Sequence, residues 1–375
     1  MRLSSQLLPV VLLAAACAPT SANVQTAQTA AGPTYASSGA LLPRTGGVSQ
    51  GDVEQAVKRA YAGARAVSEG KNADYIPELA KVDAQLFGIA VMRLDGELYE
   101  MGDTSTAFTI QSISKVFTLA RALADSGAAT VEKRIGADAT GQAFNSIVAL
   151  GLNKLQKRPP PGNPFVNAGA IATVDLVAGK DAAERWKHIL GTMNAFAGRA
   201  LNVDEKVYKS ETDTNARNQG ISWILKADEV IKGNPPEILD LYTRQCSVAI
   251  TARDLVTMGA TLANGGVNPR TGERVVDPAI AAKVLAVMAT AGLYETTGTW
   301  MFRVGVPAKS GVGGGILAVV PGRYAIAAFA PPLDEAGNSV RAQKAIESIV
   351  ATLGGNVFAA PASSPRTASA AGDVH

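Results

Sequence analysis

The sequence predicts an α+β fold in which one antiparallel sheet is built from both ends of the folded region, with helices packed on it and a helical subdomain inserted between. Two apolar hairpins near opposite ends of this region indicate the sheet. The long stretch between them carries helix-start and helix-stop signals instead. Hydrophobic residues make up 47% and charged residues 18% of the 375 residues, so a large core can form.

Each hairpin consists of two apolar runs around a turn. The first joins residues 86–94 to residues 98–101 through Asp95-Gly96, a dipeptide that favours tight β-turns. The second joins residues 315–320 to residues 324–329 through Pro321-Gly322-Arg323. These runs are the predicted strands.

Helices are predicted before, between and after the hairpins. Thr251 with Asp254 forms a near capping box at the start of one helix, and Asn264-Gly265-Gly266 stops it. Asp277-Pro278 precedes another. The four predicted helices span residues 53–67, residues 251–263, residues 279–289 and residues 339–353.

The N-terminus has the features of an export signal. Arg2 precedes an apolar stretch over residues 7–16 that is too short to span a bilayer as a helix. Such a stretch suits the apolar region of a bacterial signal peptide, which is predicted to comprise residues 1–17. Ala14-Ala15-Ala16-Cys17 resembles a lipoprotein cleavage box, which would leave Cys17 lipidated. Conventional cleavage after Ala16 or Ala22 is the alternative. An exported, periplasmic protein is predicted in both cases, and it would be anchored to the membrane only if Cys17 is lipidated.

Two flanking segments lack an apolar period. Residues 18–49 are rich in Ala, Thr, Ser, Gly and Pro and are predicted to be a flexible tether, and residues 359–375 a disordered tail. The folded domain is therefore placed at residues 50–358.

Scarce residue types exclude several functions. The two histidines and two cysteines form no cluster with metal-ligand spacing, so neither a metal nor another cofactor is predicted. A histidine-dependent triad would have to rely on His188, which no motif supports. Without Cys17, only Cys246 remains, predicted to be a buried structural thiol. A net charge of +3 does not indicate nucleic-acid binding.

Ser112-Ile113-Ser114-Lys115 is the first sequence with catalytic potential. At the start of a helix, a spacing of three places Ser112 and Lys115 on one face, within hydrogen-bond reach. A lysine can take the serine proton only when burial or a nearby cation lowers its pKa. The alternative is a helix-capping serine and a surface lysine. Lys309-Ser310-Gly311, just before the second hairpin, matches the K-[ST]-G of serine enzymes that recognise penicillin.

A family resemblance becomes evident from longer segments, which occur in the family's order: Phe108–Phe117 (FTIQSISKVF), Asn163–Ile171 (NPFVNAGAI), Leu262–Arg274 (LANGGVNPRTGER), Pro307–Gly315 (PAKSGVGGG), Asp74–Pro77 (DYIP) and Pro331–Asp334 (PPLD). They resemble the serine-dependent glutaminase family, which shares the fold of serine β-lactamases and penicillin-binding proteins. The resemblance covers residues 73–350. It implies a glutaminase catalytic domain, L-glutamine as substrate and a homo-oligomer, either a dimer or a tetramer.

The resemblance also implies roles for single residues. Ser112 would be the nucleophile, Lys115 its base, and Tyr294 the residue that moves a proton or activates water. The backbone N–H groups of Val312 and Ser112 would bind the oxyanion. The remaining substrate-binding residues would be Tyr75, Asn167, Glu211, Asn218 and Tyr242, besides Ser112, Tyr294 and Val312.

The residues themselves allow both functional and structural interpretations. Glu211 can pair with the substrate ammonium while amide and phenol donors hold the substrate carboxylate, and a spacing of seven means that Glu211 and Asn218 could share one helical face. Alternatively, Asn167 could cap a helix, Glu211 could be a first-turn acid, and Tyr242 and Tyr294 could be core tyrosines.

Two rival functions remain at this stage. One is a β-lactamase or D-Ala-D-Ala peptidase, although no Ser-Asp-Asn sequence occurs in the chain. The other is a catalytically silent lipoprotein that binds an amino acid.

Overall fold

The computed structural model of the chain describes residues 48–359. The predicted signal peptide, its Cys17, most of the predicted tether and residues 360–375 lie outside this range. The described residues form a mixed α+β structure that contains two antiparallel sheets. The strands are β1 Gly88–Arg93, β2 Leu98–Gly102, β3 Phe108–Thr109, β4 Asn202–Val203, β5 Val248–Ile250, β6 Ala308–Ser310, β7 Gly315–Val320 and β8 Tyr324–Phe329.

The main sheet joins the two ends of the folded region, as predicted. Its strand order is β2-β1-β8-β7-β6, and all neighbours are antiparallel. Both hairpins are confirmed, and β1 pairs directly with β8, so that Val91 lies opposite Ile326. Because β6 is the edge strand beside β7, the Lys309-Ser310-Gly311 sequence lies at one side of the sheet.

Alternating side chains of this sheet enter two different cores. Ile89 and Val91 pack with α1 (Gln50–Arg65) and α14 (Val340–Leu353) on one face. Ala90 and Met92 point to the opposite face and pack against the helical part of the chain. All six residues of β7 and of β8 are buried, since both faces of the sheet are covered.

The helical part lies between β2 and β6 in the chain, as predicted. Fourteen α-helices occur within residues 48–359, and two short 3₁₀ turns are at Gln111–Ile113 and Tyr294–Thr296. Besides α1 and α14, the helices are α2 Pro77–Ala80, α3 Ser114–Ser126, α4 Ala128–Arg134, α5 Ile147–Leu155, α6 Asn167–Asp175, α7 Ala182–Ala197, α8 Glu205–Thr214, α9 Ala216–Ala227, α10 Pro235–Cys246, α11 Ala252–Ala263, α12 Pro278–Ala291 and α13 Thr297–Arg303.

The predicted helix signals act at the expected positions. Thr251 and Asp254 form a reciprocal capping box at the start of α11, which ends before Asn264. Pro278 occupies the first turn of α12. The first helix begins three residues earlier than predicted, because the Ser49 side chain accepts a hydrogen bond from the N–H of Asp52 and caps it there.

The prediction of a single sheet was incomplete. A second sheet has the strand order β3-β5-β4 and is also antiparallel. Its strands contain two or three residues each, too few to display an apolar period. This sheet is important for function because β3 leads directly into the turn that carries Ser112.

Within residues 48–359, no single helix is long and apolar enough to cross a membrane; only the bent pair Pro278–Ala291 and Tyr294–Arg303 meets the length and composition test together.

Candidate active site

Ser112 lies in a strained turn between β3 and α3. It is the middle residue of the 3₁₀ turn Gln111–Ile113, and its side chain caps no helix, so the capping alternative is wrong. Gln111 has a φ of 49°, a left-handed conformation that costs a non-glycine residue about 1–3 kcal/mol. The fold therefore holds the backbone before Ser112 in an unfavourable conformation at a buried position.

Lys115 is buried in the first turn of α3, with only 1% of its surface exposed. The surface-lysine alternative is therefore wrong. Its Nζ donates hydrogen bonds to the carbonyl of Phe165 at 3.1 Å and to Oδ1 of Asn167 at 2.8 Å. Within residues 48–359 the hydrogen bond to Ser112 that the spacing allowed is not formed. Burial lowers the pKa of Lys115 to about 8.

A second buried lysine comes from the sheet. Lys309 on β6 is fully buried, and its Nζ donates a 2.7 Å hydrogen bond to the carbonyl of Ser310 and lies 4.3 Å from the ring centre of Tyr294. Burial lowers the pKa of Lys309 well below its ordinary value, and the charge of Lys115 lowers it further. Tertiary packing thus brings the S-x-x-K and K-S-G sequences into one electrostatically coupled cluster.

Tyr294 lies at the start of the second 3₁₀ turn with a φ of 55°. Its hydroxyl approaches the carbonyl of Ser310 at 3.5 Å, and its ring packs on that of Phe144, with 4.8 Å between centroids. Burial raises the pKa of Tyr294 to about 12, and the neighbouring Ser112 and Ser310 act in the opposite direction. At neutral pH its phenol therefore carries a proton.

Two glycines let the segment after β6 pack against the Ser112 turn. A Cβ at Gly311 would lie 2.8 Å from the carbonyl oxygen of Ile110, and one at Gly313 would lie 2.6 Å from that of Thr109. Val312 is thereby held beside the turn. Within residues 48–359, the backbone N–H groups of Ser112 and Val312 have no hydrogen-bond partner.

A cleft of about 110 Å³ opens onto Ser112. It brings together most of the residues that the family resemblance implied, from six separate parts of the chain. Lys115 lies outside its lining, in contact with Asn167, and Tyr294 lines a neighbouring cavity of about 60 Å³. The predicted residues that line the cleft are Tyr75, Ser112, Asn167, Glu211, Asn218, Tyr242 and Val312.

Asn167 links three of these residues by hydrogen bonds. Its Oδ1 accepts from Lys115 Nζ and, at 3.1 Å, from the hydroxyl of Tyr242, while its Nδ2 donates to Oδ1 of Asn218 at 3.0 Å. It is the first residue of α6, whose N-cap position is Val166, so Asn167 is not the cap residue. These contacts orient its amide in the cleft.

Among the described residues, 48–359, Glu211 is the only acidic one that lines the cleft. It is 8% exposed and accepts a hydrogen bond of 3.4 Å from Nε2 of Gln111. Burial raises the pKa of Glu211 to about 7, although Gln111 and Lys115 act to lower it. The prediction that Glu211 and Asn218 share one helix was wrong, because the chain breaks between α8 and α9 at Asn215.

Several lining residues were not predicted. Gln111 directly precedes Ser112 and contacts Glu211; its place next to the proposed nucleophile was the signal that could have identified it. Arg217 precedes the predicted Asn218 directly. Cys246 is buried at the cleft wall, as predicted, and burial raises the pKa of its thiol to about 12, so the thiol stays protonated. Within residues 48–359, no group of three or more His, Cys, Asp or Glu side chains is placed to hold a metal ion.

Comparisons with known proteins identify close relatives. A model of the family described as Glutaminase matches residues 70–358. The chain is 52% identical to a glutaminase of Colwellia psychrerythraea over 291 residues, which are 78% of this chain and 92% of the relative. It is 49% identical to a glutaminase of Brucella canis over 306 residues, 82% of this chain and 95% of the relative.

Solved structures agree with these sequence matches. A structure described as the probable glutaminase ybaS has a TM-score of 0.81 and 47% identity, covering 83% of this chain and 99% of that one. A probable glutaminase from Bacillus subtilis, complexed with 6-diazo-5-oxo-L-norleucine, has a TM-score of 0.72 and 30% identity, covering 82% and 95%.

Proposed function

This chain belongs to the glutaminase family and has its β-lactamase-like fold, and from that premise we propose that it hydrolyses the side-chain amide of L-glutamine through an acyl-enzyme on Ser112. The observation that carries the mechanism is the burial of Lys115 next to the Ser112 turn, with its pKa lowered to about 8. At that pKa a useful fraction of the lysine is neutral near pH 7–8 and can act as a base.

The hydrogen bonds of Lys115 favour this role. A neutral amine has two N–H bonds and one lone pair. The carbonyl of Phe165 and Oδ1 of Asn167 accept two donors from Nζ, which leaves the lone pair free to receive the proton of Ser112. The Ser112 oxygen then forms a bond to the amide carbon of glutamine, and the negative charge moves to the former carbonyl oxygen.

The N–H groups of Ser112 and Val312 are the proposed donors to that oxyanion, consistent with their lack of partners within residues 48–359. When the carbon–nitrogen bond breaks, Tyr294 gives its proton to the leaving ammonia; its raised pKa keeps that proton available. Water then attacks the ester carbon and gives its proton to the Tyr294 phenolate, and protonated Lys115 returns its proton to the Ser112 oxygen as glutamate leaves. No cofactor enters this scheme.

The cleft matches the polar groups of glutamine. Glu211 can pair with the ammonium, and the other polar lining groups include amides, phenols and one exposed cation. The Bacillus subtilis relative is complexed with 6-diazo-5-oxo-L-norleucine, an amino acid that carries a ketone in its side chain where glutamine carries its amide carbonyl.

The test is ammonia release from L-glutamine, L-asparagine and D-glutamine by protein that lacks residues 1–17. We expect release from L-glutamine that is abolished in Ser112→Ala and retained in Ser126→Ala, a control at the C-terminal end of α3, the helix that follows the Ser112 turn. Full activity of Ser112→Ala would refute the nucleophile assignment. Acylation by labelled penicillin without ammonia release would favour the rival β-lactamase function, and glutamine binding without turnover would favour the silent binder.

We also propose that residues 1–17 direct export to the periplasm and that Cys17 carries a lipid anchor. The support is the apolar stretch that ends in Ala14-Ala15-Ala16-Cys17. Fractionation of cells that express the full chain should find it with membranes, and Cys17→Ser should release it into the periplasm. Recovery of the wild-type chain in soluble periplasm would support conventional cleavage instead.

We also propose that the protein is a homo-oligomer, either a dimer or a tetramer. Light scattering of the purified protein should give a dimer or tetramer mass, and a monomer mass would contradict the proposal.

A further inference from the structure

The proposed reaction needs a water molecule to arrive while the cleft is still occupied. After the carbon–nitrogen bond breaks, the γ-glutamyl group stays attached to Ser112, with its ammonium paired to Glu211. Ammonia forms at the Tyr294 hydroxyl and must be replaced there by water before the ester can be hydrolysed. The hydrolytic water therefore needs a site near Tyr294 that the glutamyl chain does not fill.

Tyr294 lines a second cavity, here called the Tyr294 cavity, that meets this need. Its volume of about 60 Å³ is enough for about two water molecules, each of which takes roughly 30 Å³ in the liquid. Within residues 48–359, no residue lines both this cavity and the substrate cleft. The lining residues of the Tyr294 cavity come from three segments, which are residues 139–142, residues 163–166 and residues 290–298.

The Tyr294 cavity extends from the protein surface to the proposed nucleophile. Its exposed lining residues, among them Thr290 and Gly298, form a rim that is open to solvent. Thr297 and Tyr294 are buried, with 2% and 7% of their surfaces exposed. The Ser112 side chain lies beside the Tyr294 hydroxyl. The lining therefore changes from exposed to buried residues toward the place where the ester forms.

Phe144 separates the Tyr294 cavity from the cleft. It lines the cleft, and its ring packs on that of Tyr294 with 4.8 Å between centroids. Its carbonyl accepts a 2.8 Å hydrogen bond from the N–H of Asn167, which fixes the backbone of this wall. A glutamyl chain in the cleft would thus leave the Tyr294 cavity, on the other side of the wall, accessible to solvent.

The polar groups of this lining suit a small neutral molecule that must exchange. The Thr297 hydroxyl donates to the carbonyl of Tyr294 and accepts from the N–H of Leu293. The Asn163 side chain donates to the carbonyl of Asp138 and accepts from two backbone N–H groups. Because these groups are already paired within the protein, they hold a water molecule weakly and allow it to move on.

We propose that the Tyr294 cavity supplies the hydrolytic water to the acyl-enzyme, by a route separate from the cleft that admits glutamine. This inference rests on the proposed function. The water oxygen forms a bond to the ester carbon, and the water proton passes to the Tyr294 phenolate. As the bond between that carbon and the Ser112 oxygen breaks, the oxygen takes a proton from Lys115. The route delivers water to the side of Ser112 on which Tyr294 can accept its proton.

The test narrows the Tyr294 cavity at its rim. Gly298→Leu adds a side chain at a position where a Cβ meets nothing within 4 Å, so the substitution causes no clash there. Thr290→Leu enlarges a second rim residue, on α12. Gly191→Leu is the matched control, an exposed glycine of α7 that also has open space around its Cβ but lies outside the lining.

Two quantities are measured with L-glutamine as substrate. The first is the initial rate of ammonia release, and the second is the decay of the γ-glutamyl ester on Ser112, followed by acid quenching and mass spectrometry as glutamine is exhausted. In both rim variants we expect the ester to decay at least about fivefold more slowly, with kcat and KM lowered by a common factor and kcat/KM within about twofold of the wild type, because acylation precedes the entry of water. Gly191→Leu should match the wild type in every measurement.

Three results would overturn the inference. Ester decay at the wild-type rate in both rim variants would show that water reaches Ser112 by another way. A fall in kcat/KM without slower ester decay would show that the substitutions act on acylation through Tyr294. If the wild-type protein released no ammonia from L-glutamine, the proposed function would fail, and the inference with it; that result appears without any substitution at the Tyr294 cavity.

Discussion

Nζ of Lys115 donates a 2.8 Å hydrogen bond to Oδ1 of Asn167, which connects the proposed base directly to the substrate cleft. Because Nδ2 of Asn167 is engaged by Asn218, the amide cannot turn over without losing both contacts. The acceptor beside Lys115 is therefore a neutral oxygen. Because this acceptor carries no charge, burial remains the main influence on the pKa of Lys115 and lowers it.

Asn167→Asp should place a negative charge beside Lys115 and raise its pKa. The acid limb of kcat/KM should then move upward by about one to two pH units, because the protonated lysine is no base. A pH profile of ammonia release between pH 5 and 10 measures this. Asn167→Ala, which adds no charge, should weaken activity without this upward movement; an unmoved limb in Asn167→Asp would contradict the assignment of Lys115.

The pH profile of the wild type should contain two steps on its acid side. Glu211 must be ionised to pair with the ammonium, and its carboxylate becomes protonated as pH falls through about 7. The neutral amine of Lys115 becomes protonated as pH falls through about 8. Glu211→Gln should leave only one step and raise KM for L-glutamine by about tenfold or more. Glu205→Gln, on the exposed first turn of the same helix, is the control and should keep both steps.

Lys309→Met should stabilise the fold. The unfolded chain binds the Lys309 proton more tightly than the folded one, so this residue lowers the free energy of unfolding at neutral pH, and its penalty shrinks as pH rises. We expect a gain of about 1–3 kcal/mol in urea unfolding at pH 7, decreasing toward pH 10. Exposed Lys206→Met should change stability little. A destabilised Lys309→Met protein would mean that its hydrogen bond to Ser310 outweighs desolvation.

Gly311→Ala should reduce kcat at least about tenfold. Its Cβ would lie 2.8 Å from the carbonyl oxygen of Ile110, so the backbone must separate and carry the N–H of Val312 away from Ser112. Gly191→Ala lies in α7 with open space around its Cβ and should retain full activity, with a gain in stability of up to about 1 kcal/mol. Steady-state kinetics and thermal unfolding of both variants decide the matter; normal kcat in Gly311→Ala would argue against the Val312 oxyanion donor.

The strands of the hairpins and the helices with strong caps were predictable because their signals are local. The β7 and β8 boundaries agree with the apolar runs on either side of Pro321-Gly322-Arg323. The Thr251–Asp254 capping box depends only on residues three apart. The β3-β5-β4 sheet was missed since its pairing partners are distant in the chain and each strand is too short to have a period.

The cleft was predictable in membership but not in arrangement. The family resemblance implied Ser112, Glu211 and Asn218, and all three line one cleft. Their spacing allowed a single helix for Glu211 and Asn218, but Asn215 has a non-helical conformation and lies between the end of α8 and the start of α9. Arg217 was overlooked since a charged residue on a helix usually faces solvent, and only the fold shows which exposed charge borders a cleft.

By itself the sequence determined the fold class, the family and the chemical types of the site residues, since these depend on local patterns and on motif order. The tertiary structure alone decided the electrostatics. Lys115 and Lys309 approach one another only because β6 packs beside the Ser112 turn, and Glu211 is raised to a pKa of about 7 only because the folded chain buries it. Burial and proximity to other charges depend on where a residue lies in the folded structure, so they cannot be read from the residues next to it in the sequence.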